Sequence, residues 1–338
     1  MKTPLRYPGG KSRAVKQILK HIPEDCGELC SPFLGGGSIE LAVAMRGTTV
    51  HNYDLFQPVV WFWQALLKDP VRLAETAESY RVGTKCYTSI VEAGTEWATV
   101  LNKCANASAP CRAVTKRPKD KFCSNHQKLI DIDKGRILGV SKSDFQEIKK
   151  RVNERTQVTT EAELFIAAAE YYLINRTSFS GSTTSGGWSW KASWARLTPS
   201  TLKNLREFKI ENFYVDRADF KDSLDKHPDA FLYCDPPYML GKEYVPAHKD
   251  KNGNDVAGYW LNRETLYGTD GDLHKGFGHQ GLHKLLTRRS GWVLSYNDCA
   301  EIRDLYKNYE IHEAEWAYGM KNIGGKKMGK SSELLIIG

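Results

Sequence analysis

The sequence predicts an α/β fold with a parallel sheet that is interrupted by a long inserted region. Residues 28–54 follow the order strand, glycine turn, helix and strand, which is a βαβ unit and implies parallel strands. Two further buried strands, "DAFLYCD" and "GWVLSYND", come late in the chain and end near acidic residues. Between them and the βαβ unit, residues 57–197 lack strand patterns, so the sheet resumes after a large excursion.

The elements can be placed in order along the first half of the chain. Apolar residues at helical spacing predict a helix at 12–21, marked by Val15, Ile18, Leu19 and the following Ile22. "GELCSPF" and "TTVHNYD" predict strands on either side of the helical "IELAVAMR", and residues 57–82 predict helices. The pattern then loosens over 83–158, where short helical pieces between loops are expected.

The second half begins with a strong helix signal. Residues 160–175 carry a Thr cap at Thr160 with Glu163 three positions later, the arrangement of a capping box. The Gly, Ser and Trp content of the following 176–197 predicts a loop or hairpin and not a packed helix. Residues 239–278 are polar and predict a long loop. The remaining segments predict the strand "NFYVDR", the helices "HQGLHKLLTRRS" and "EIRDLYKN", and a closing strand pair, "YEIHEAEWAYG" and "SSELLIIG".

Composition narrows the class of protein. The chain has 338 residues, 41% of them hydrophobic, and no apolar run reaches the length of a membrane-spanning helix. The polar, Gly/Pro-rich first residues lack the apolar core of a signal peptide. We therefore expect a cytoplasmic protein that does not associate with membranes.

The net charge of +8 is unevenly distributed. Basic residues crowd 112–128 and return at Lys321, Lys326, Lys327 and Lys330. Basic clusters on loops suit phosphate contacts, although a solvated basic face explains the charge equally well.

The eight cysteines are scattered and form no CxxC pair, so reduced thiols are expected. Cys104, Cys111, Cys123 and His126 include zinc-ligand types. Their spacing is irregular, and no metal site is predicted.

"YPGGKS" at 7–12 resembles part of a phosphate-binding loop but does not satisfy its requirements. The motif needs a first glycine at position 5, which is Leu5, and a preceding strand, for which the chain is too short there. Nucleotide hydrolysis is therefore disfavoured.

"LGGGS" follows a strand and opens a helix, so its backbone can approach a ligand closely. Gly35 and Gly37 fit a dinucleotide fingerprint, but its third glycine position holds Glu40. Asp54 ends the next strand, where a carboxylate can accept hydrogen bonds from ribose hydroxyls. The pair favours a nucleoside-bearing cofactor other than NAD, with a tight packing turn as the alternative.

"CDPPY" at 234–238 is the most informative motif. A strand brings Asp235 to the edge where open α/β sheets bind ligands. Pro236 and Pro237 have no N–H and leave their carbonyls exposed, and Tyr238 supplies a flat face. The carboxylate and the Pro236 carbonyl can each accept one hydrogen from a planar exocyclic amine. The motif therefore predicts chemistry at an amino nitrogen, with a proline turn after a strand as the alternative.

These motifs together resemble a known enzyme family. "YPGGK", "PFLGGGS", "NYD", "NRTSFSG", "DPPY" and "SYND" occur in the order found in Dam-type DNA adenine-N6 methyltransferases of the D12 class, alpha group, and they span residues 7–297. The resemblance implies a Rossmann-like class I methyltransferase sheet with a helical and hairpin target-recognition insertion. It assigns 1–56 and 198–338 to the catalytic domain and 57–197 to that insertion.

The resemblance also implies the cofactor and the site residues. S-adenosylmethionine is the expected methyl donor, with S-adenosylhomocysteine as product. Catalysis is assigned to Asp235, Pro236, Pro237 and Tyr238. The residues implied for cofactor binding are Tyr7, Lys11, Phe33, Gly35, Gly37, Asp54, Asp219, Phe220 and Asp235. Ser295 and Asn297 are expected at a neighbouring strand end.

Double-stranded DNA is the expected partner, contacted through a flipped adenine. The DNA-binding residues predicted from the family pattern and the charge are Asn175, Arg176, Phe179, Ser180, Lys326 and Lys327. A monomer or weak dimer, a cognate restriction enzyme and a prokaryotic or phage source are also expected. Trp188, Trp190 and Trp194 have no evident counterpart in the family and suit either DNA reading or a small satellite core.

The motifs leave other target bases open and disfavour a different methylation chemistry. The same pocket could methylate cytosine N4 or an RNA base. Methylation at cytosine C5 requires a cysteine nucleophile, and Cys234 should point away from Asp235 because neighbouring strand residues face opposite sides. A DNA-binding protein without activity is disfavoured by the intact "DPPY".

Overall fold

The computed structural model describes residues 2–7, 9–80, 140–239, 277–316 and 331–338, together with short strand segments between 242 and 262. Its contacts divide the chain into two compact units. The first comprises Met1–Thr3, Gly9–Val60 and Ile210–Gly338, and the second comprises Pro4–Pro8 and Trp61–Lys209. The predicted assignment of a catalytic domain and a target-recognition insertion to particular ranges stays a prediction.

A sheet of seven described strands forms the centre of the first unit. Its strands are β1 (Glu28–Ser31), β2 (Thr49–Asp54), β3 (Phe213–Arg217), β4 (Phe231–Cys234), β9 (Trp292–Asn297), β10 (Glu310–Trp316) and β11 (Ser331–Ile337). Their spatial order is β10-β11-β9-β4-β1-β2-β3. Along the chain, β1, β2 and β3 therefore extend the sheet in one direction. β4 and β9 then extend it on the other side of β1, and the antiparallel pair β10 and β11 completes that side.

Five neighbouring strands run parallel, and this places the site. β1 pairs in parallel with β2 and β4, β2 with β3, and β4 with β9. β11 lies antiparallel between β9 and β10. The carboxyl ends of β1, β2, β3, β4 and β9 consequently meet at one edge of the sheet, which is where open α/β sheets bind ligands.

Short helices cover this sheet and complete its core. They are α1 (Val15–Ile18), α2 (Ser38–Ala44), α9 (Phe220–Lys226), α10 (His279–Leu286) and α11 (Ala300–Leu305). Leu224, Leu282 and Trp292 are fully buried and belong to one apolar cluster, in which Trp292 also donates its indole N–H to the Leu286 carbonyl. Burial of such side chains stabilises the packing by about 1.5–3 kcal/mol each.

The segment expected to be a long loop contains paired strands. β5 (Lys242–Val245) pairs with β8 (Tyr259–Asn262), and β6 (His248–Lys249) pairs with β7 (Asp255–Val256), both antiparallel. The prediction of a loop over 239–278 is therefore wrong for these residues. The polar composition concealed a hairpin because alternating Tyr, Trp and Val positions are few and widely separated.

Helices make up most of the described part of the second unit. They are α3 (Gln57–Lys68), which begins in the first unit, then α4 (Pro70–Ser79), α5 (Lys142–Glu154), α6 (Glu161–Thr177), α7 (Trp190–Arg196) and α8 (Pro199–Arg206). The predicted capping box at Thr160 and Glu163 is confirmed. α6 is buried along most of its length, and its Glu170 accepts hydrogen bonds from Arg151 (2.6 Å), Arg155 (2.8 Å) and Tyr80 (3.0 Å).

The region after α6 differs from its prediction in one part. A single antiparallel bridge joins Ser178 to Trp188, as expected of a hairpin-like turn. The helix α7 then follows, with the Ser189 side chain accepting a hydrogen bond from the Ala192 N–H as an N-cap. The prediction of loop or hairpin throughout 176–197 is wrong for these seven residues, and also for Arg176 and Thr177, which belong to α6. Trp188 donates its indole N–H to the Val140 carbonyl at 2.9 Å, so this tryptophan has a structural contact.

Several predictions lie outside the described residues, including the basic and cysteine-containing stretch at 83–139 and the lysines at 321–330. Within the described part, the α/β fold with a mostly parallel sheet is confirmed. None of the described helices is both long enough and apolar enough to span a bilayer.

Candidate active site

The carboxyl edge of the parallel strands gathers most of the predicted site residues in the first unit. Gly35 and Gly37 follow β1, Asp54 ends β2, and Asp219 and Phe220 follow β3. Asp235 follows β4 directly, and Ser295 and Asn297 end β9. Glu333 on β11 reaches the same edge because its register partner is Asn297.

Asp235 is held in a defined orientation by two neighbouring side chains. Its Oδ1 accepts hydrogen bonds from Lys11 Nζ and from Ser295 Oγ, both at 2.8 Å. Its Oδ2 accepts a second hydrogen bond from Lys11 Nζ at 2.9 Å. The Asp235 side chain is 22% exposed, whereas its partners Lys11 and Ser295 are buried. An ionised carboxylate has about four acceptor positions, so capacity for a further donor remains.

Lys11 is the residue that organises this corner. It is 4% exposed and donates to the Gly9 carbonyl at 3.0 Å as well as to Asp235. Its Nζ lies 3.8 Å from Glu333 Oε2 and 5.0 Å from the centre of the Tyr238 ring. The sequence predicted Lys11 to be a cofactor-binding residue, and in the structure its ammonium contacts the Asp235 carboxylate. A buried ammonium requires such compensation by carboxylates and carbonyls.

Tyr238 and its surroundings form an aromatic wall beside Asp235. The Tyr238 ring centre lies 6.0 Å from that of Tyr296, a fully buried tyrosine whose hydroxyl contacts His279. Burial, followed by the charges of Asp235 and Glu333, raises the pKa of Tyr238 well above its ordinary value. The Tyr238 phenol therefore stays neutral.

Pro236 and Pro237 join this wall to Asp235. Pro236 is buried and Pro237 half-buried. The turn ends at Met239, whose carbonyl accepts a hydrogen bond from Asn297 Nδ2 at 2.8 Å. The motif is thereby fastened at both ends to β9, through Ser295 and Asn297.

Asp54 supports the glycine turn. Its Oδ2 accepts the Gly35 N–H and its Oδ1 accepts the Phe56 N–H, each at 2.8 Å. Gly35 and Gly37 have positive φ values of 46° and 65°, which favour glycine and let the turn curl back over the strand ends. Burial raises the pKa of Asp54 to about 6, while the hydrogen bonds from Phe56 and Gly35 oppose this shift.

Glu40 is a buried acid. The sequence gave it significance only as the residue that replaces the third glycine of the dinucleotide fingerprint. It lies in the first turn of α2, is 2% exposed, and accepts the Ser31 hydroxyl at 2.8 Å. Burial raises its pKa to about 7; hydrogen bonds from its own backbone N–H and from Ser31 oppose the shift, and the Asp235 charge adds to it. Its signal in the sequence was an acidic residue inside an otherwise apolar helix.

Three phenylalanines form an aromatic cluster near the glycine turn. The Phe33 ring centre lies 5.9 Å from Phe220 and 5.6 Å from Phe277, and the last two are 5.3 Å apart. Phe277 was not predicted, because it lies at the end of a segment with no strand or helix pattern. Asp219 caps α9 by accepting the Lys221 N–H at 2.9 Å.

Cys234 faces the opposite side from Asp235. It is fully buried in the apolar cluster with Cys30, and burial raises the pKa of its thiol well above the ordinary value. A thiol in this position is neither ionised nor accessible, so the structure supports the exclusion of Cys234 as the nucleophile that cytosine-C5 methylation would require.

Comparison with known proteins gives the family. Residues 7–320 match the family described as D12 class N6 adenine-specific DNA methyltransferase. The chain belongs to this family. It is accordingly an adenine-specific DNA methyltransferase, and the family's reaction uses S-adenosylmethionine as methyl donor. No curated protein matches the chain in a sequence search.

The "NRTSFSG" motif of the methyltransferase lies in the second unit. Two residues of the motif, Asn175 and Gly181, contact the backbone of Arg6 in the N-terminal segment. Asn175 Oδ1 accepts the Arg6 N–H at 2.9 Å, and Asn175 Nδ2 donates to the Arg6 carbonyl at 2.7 Å. Gly181 has a φ of 80°, and a Cβ there would lie 2.8 Å from the Arg6 carbonyl oxygen. Asn175 is fully buried, so its predicted role in contacting DNA is revised to positioning Arg6.

Three arginine side chains, those of Arg6, Arg176 and Arg196, lie close together near Asn175. Arg176 donates to the Arg196 carbonyl at 3.0 Å and to the Pro4 carbonyl at 3.4 Å, and Arg196 donates to the Ser178 carbonyl at 3.4 Å. Burial, and then the charges of Arg196 and Arg176, lowers the pKa of Arg6 to about 10. Burial and the Arg176 charge also lower the pKa of Arg196. Among the residues that the structure describes, no carboxylate forms an ion pair with any of the three.

The other predicted DNA-binding residues have varied positions. Phe179 is 56% exposed, which is unusual for a large apolar side chain. Ser180 lies in the 3₁₀ turn Phe179–Gly181, and Tyr7 is half-buried in the second unit. Lys326 and Lys327 lie outside the described residues. The sequence predicted base contacts for Arg176 and the side chains of 177–196, a range that includes Arg196, whereas it gave no signal for Arg6, which lies outside the basic clusters along the chain.

Proposed function

We propose that this enzyme methylates N6 of an adenine flipped out of double-stranded DNA, and that Asp235, Pro236, Pro237 and Tyr238 hold the base. The observation that carries the proposal is the geometry of Asp235. Its carboxylate ends a parallel strand at the ligand-binding edge, is oriented by Lys11 and Ser295, and stands beside an aromatic ring.

The target amine needs two acceptors and a flat support. Asp235 accepts one N6 hydrogen and the Pro236 carbonyl accepts the other, which aims the nitrogen lone pair away from the ring plane. Tyr238 stacks on the base and offsets part of the few kcal/mol that flipping costs. Lys11 and Ser295 fix the carboxylate before the base arrives, so little reorganisation is required during the reaction.

The carboxyl edge fits a nucleoside-bearing methyl donor. Gly35 and Gly37 have no side chains and take positive φ values, so the turn can approach a ligand closely. Asp54 ends the neighbouring strand, where ribose hydroxyls would bind. Phe33 and Phe220, with Asp219 beside them, provide the apolar wall for an adenine ring, and Lys11 and Tyr7 complete the predicted set. When bound, S-adenosylmethionine supplies an electrophilic methyl group and leaves as S-adenosylhomocysteine.

The arginines of the second unit are assigned to DNA. Arg6, Arg176 and Arg196 concentrate positive charge without a described acidic partner, which suits phosphate oxygens or the guanine edge. The exposed Phe179 ring lies three residues after Arg176 and suits contact with bases. Ser180, Lys326 and Lys327 are retained as further DNA contacts. Arg176 donates to two backbone carbonyls and Arg196 to one, so Arg6 and Arg196 are assigned the larger share of the contact.

The cellular setting follows from the same assignment. Adenine methylation at a defined site suits an enzyme that works as a monomer or weak dimer in the cytoplasm of a prokaryotic or phage-infected cell. The expected partner is a restriction enzyme that recognises the same DNA sequence, because methylation of that sequence would protect the DNA from cleavage.

A sequencing experiment tests the catalytic assignment. Asp235→Ala removes the carboxylate that grips the amine, whereas Asp225→Ala removes an exposed acid on α9 and serves as the matched control. DNA from cells expressing the wild type and Asp225→Ala should carry N6-methyladenine in one short motif, and DNA from cells expressing Asp235→Ala should carry none. Methylcytosine in its place, or adenine methylation that survives in Asp235→Ala, would refute the assignment.

A further inference from the structure

A cluster of metal-ligand side chains lies away from the methyl-transfer edge. Glu28, His51 and His227 offer ligand atoms that all lie within 4.8 Å of one another. His51 Nε2 is 2.6 Å and His227 Nδ1 is 3.4 Å from the same carboxylate oxygen, Glu28 Oε1. The two imidazole rings stack with centres 4.1 Å apart.

Strand register explains why these residues meet. His51 on β2 pairs with Cys30 on β1, and Glu28 lies two residues before Cys30. Residues two apart on a strand share a face, so Glu28 and His51 project from the same side of the sheet. His227 follows α9 directly, and α9 packs over this side through Leu224, which shares an apolar cluster with Cys30. The cluster therefore lies toward the amino ends of β1 and β2, whereas Asp54 and Asp235 lie at the carboxyl ends.

The histidines are oriented by neighbours that are not ligands. His227 Nε2 is hydrogen-bonded to the Tyr53 hydroxyl at 2.8 Å, which leaves Nδ1 directed at Glu28. His51 is stacked on Tyr214 with ring centres 5.3 Å apart. Metal-binding histidines commonly use their second ring nitrogen in a hydrogen bond of this kind, because the bond fixes both ring orientation and tautomer.

We propose that Glu28, His51 and His227 form a zinc-binding site in which a water molecule is the fourth ligand. Two imidazoles and one carboxylate match the ligand types of Zn²⁺, which binds such atoms at about 2.0–2.2 Å. Tetrahedral coordination places ligand atoms roughly 3.3 Å apart, so the present spacing requires only small side-chain movements. His51 and His227 are 23% and 13% exposed, and Glu28 is 44% exposed, so an ion has a path from solvent.

The site would cross-link three segments of the first unit. Zinc would join β1, β2 and the turn that precedes β4, and a ligand that binds the folded state alone stabilises it. Its position away from Asp235 predicts that bound metal raises the melting temperature and leaves methyl transfer at saturating substrates unchanged.

Zinc competition on the full chain tests the site. Zn²⁺ is titrated into the wild type, His51→Gln, His227→Gln and Glu28→Gln in the presence of a chromophoric chelator. His312→Gln is the matched control, because His312 is also paired with a glutamate, Glu310 at 2.9 Å, and its ring centre lies 4.6 Å from that of another histidine, His21. The first three variants should each lose one zinc equivalent or weaken its binding at least tenfold, and the control should match the wild type. Tyr53→Phe should weaken binding by about tenfold through loss of the orienting bond.

Cobalt spectra separate this site from any thiolate site elsewhere in the chain. Co²⁺ bound to two imidazoles and a carboxylate gives visible d–d bands without the strong near-ultraviolet band of a cysteine thiolate. Those bands should disappear in His51→Gln and His227→Gln, each checked as folded by its circular dichroism without metal. Equal zinc affinity in the wild type and these variants, or loss of binding in His312→Gln alone, would overturn the proposal. If a histidine variant does not fold, Glu28→Gln decides the question, because Glu28 is the most exposed of the three ligands.

Discussion

At the residue scale, Glu40 shows how a buried acid links stability to pH. Its pKa is raised from 4.5 to about 7, chiefly by burial, so the folded state holds a proton that the unfolded state has released between these values. The unfolding free energy contributed by Glu40 therefore falls as the pH rises from about 4.5 to 7. One pKa unit corresponds to 1.36 kcal/mol, so the full effect is about 3 kcal/mol.

Glu40→Gln should remove this dependence. The amide oxygen can still accept the Ser31 hydroxyl, but the side chain no longer ionises. Urea unfolding at pH 8 should show the variant more stable than the wild type by up to about 3 kcal/mol, with a much smaller difference at pH 5. Glu24→Gln, at an exposed position, should show no such pH-dependent difference. A stability difference that is the same at both pH values would contradict the explanation.

The residues around Asp235 show which parts of the candidate site can be predicted from local sequence. Asp235 and Tyr238 were predicted because their chemistry lies in five consecutive residues, and Asp54 because it ends a strand after a glycine turn. The contact between Lys11 and Asp235 was not predicted, since 224 positions separate the two residues. Glu333 was missed for the same reason: its location depends on the register of β11 against β9, which no local pattern specifies.

At the element scale, the turn after α6 owes its shape to the N-terminal segment. Gly181 approaches the Arg6 backbone so closely that a Cβ would lie 2.8 Å from its carbonyl oxygen and 2.9 Å from its Cβ, and its φ of 80° is unfavourable for other residues. Asn175 holds the same Arg6 backbone from α6 through its amide. The "NRTSFSG" motif therefore serves partly to fix where Arg6 stands.

Gly181→Ala should displace Arg6. Because Arg6 is proposed to contact DNA, the substitution should also weaken DNA binding. Backbone strain at positive φ and the clash together should lower the unfolding free energy by about 1–3 kcal/mol. Fluorescence anisotropy with a duplex should show at least tenfold weaker binding, while calorimetry shows unchanged affinity for S-adenosylmethionine. Gly187→Ala is the control, because nothing lies within 4 Å of its added Cβ. Equal DNA affinity in the two variants would argue against the anchoring role.

Local signals explain which elements were predicted. Thr160 and Glu163 mark the start of α6 because a capping box is a short-range pattern. α7 was missed because its seven residues, with two Trp and one Ser, give little helical periodicity, and its Ser189 cap resembles the surrounding loop composition. Tertiary contacts such as that of Ser193 with Val140 at 2.9 Å stabilise it.

At the scale of the whole molecule, the βαβ pattern predicted a parallel sheet but not its strand order. β3 and β4 are separated by only a short helix in the chain, yet they lie on opposite sides of the β1–β2 pair. Such an order depends on packing across the entire sheet. The electrostatic organisation is equally non-local: the net charge of +8 was visible in the sequence, whereas Arg6, Arg176 and Arg196 converge only through the fold.

This convergence gives a prediction for the salt dependence of DNA binding. Each phosphate contact that is lost should reduce the slope of log K against log[salt] by about 0.9, because fewer counterions are released. Arg6→Gln and Arg196→Gln should therefore each flatten the slope by about 0.9, and the double variant by about 1.8, in anisotropy titrations between roughly 50 and 200 mM salt. Lys203→Gln removes the same charge from an exposed lysine already paired with Glu207 at 3.6 Å, and should leave the slope unchanged. If all of these variants keep the wild-type slope, the arginines do not contact phosphate; if affinity falls at one base position with the slope intact, they read a base edge instead.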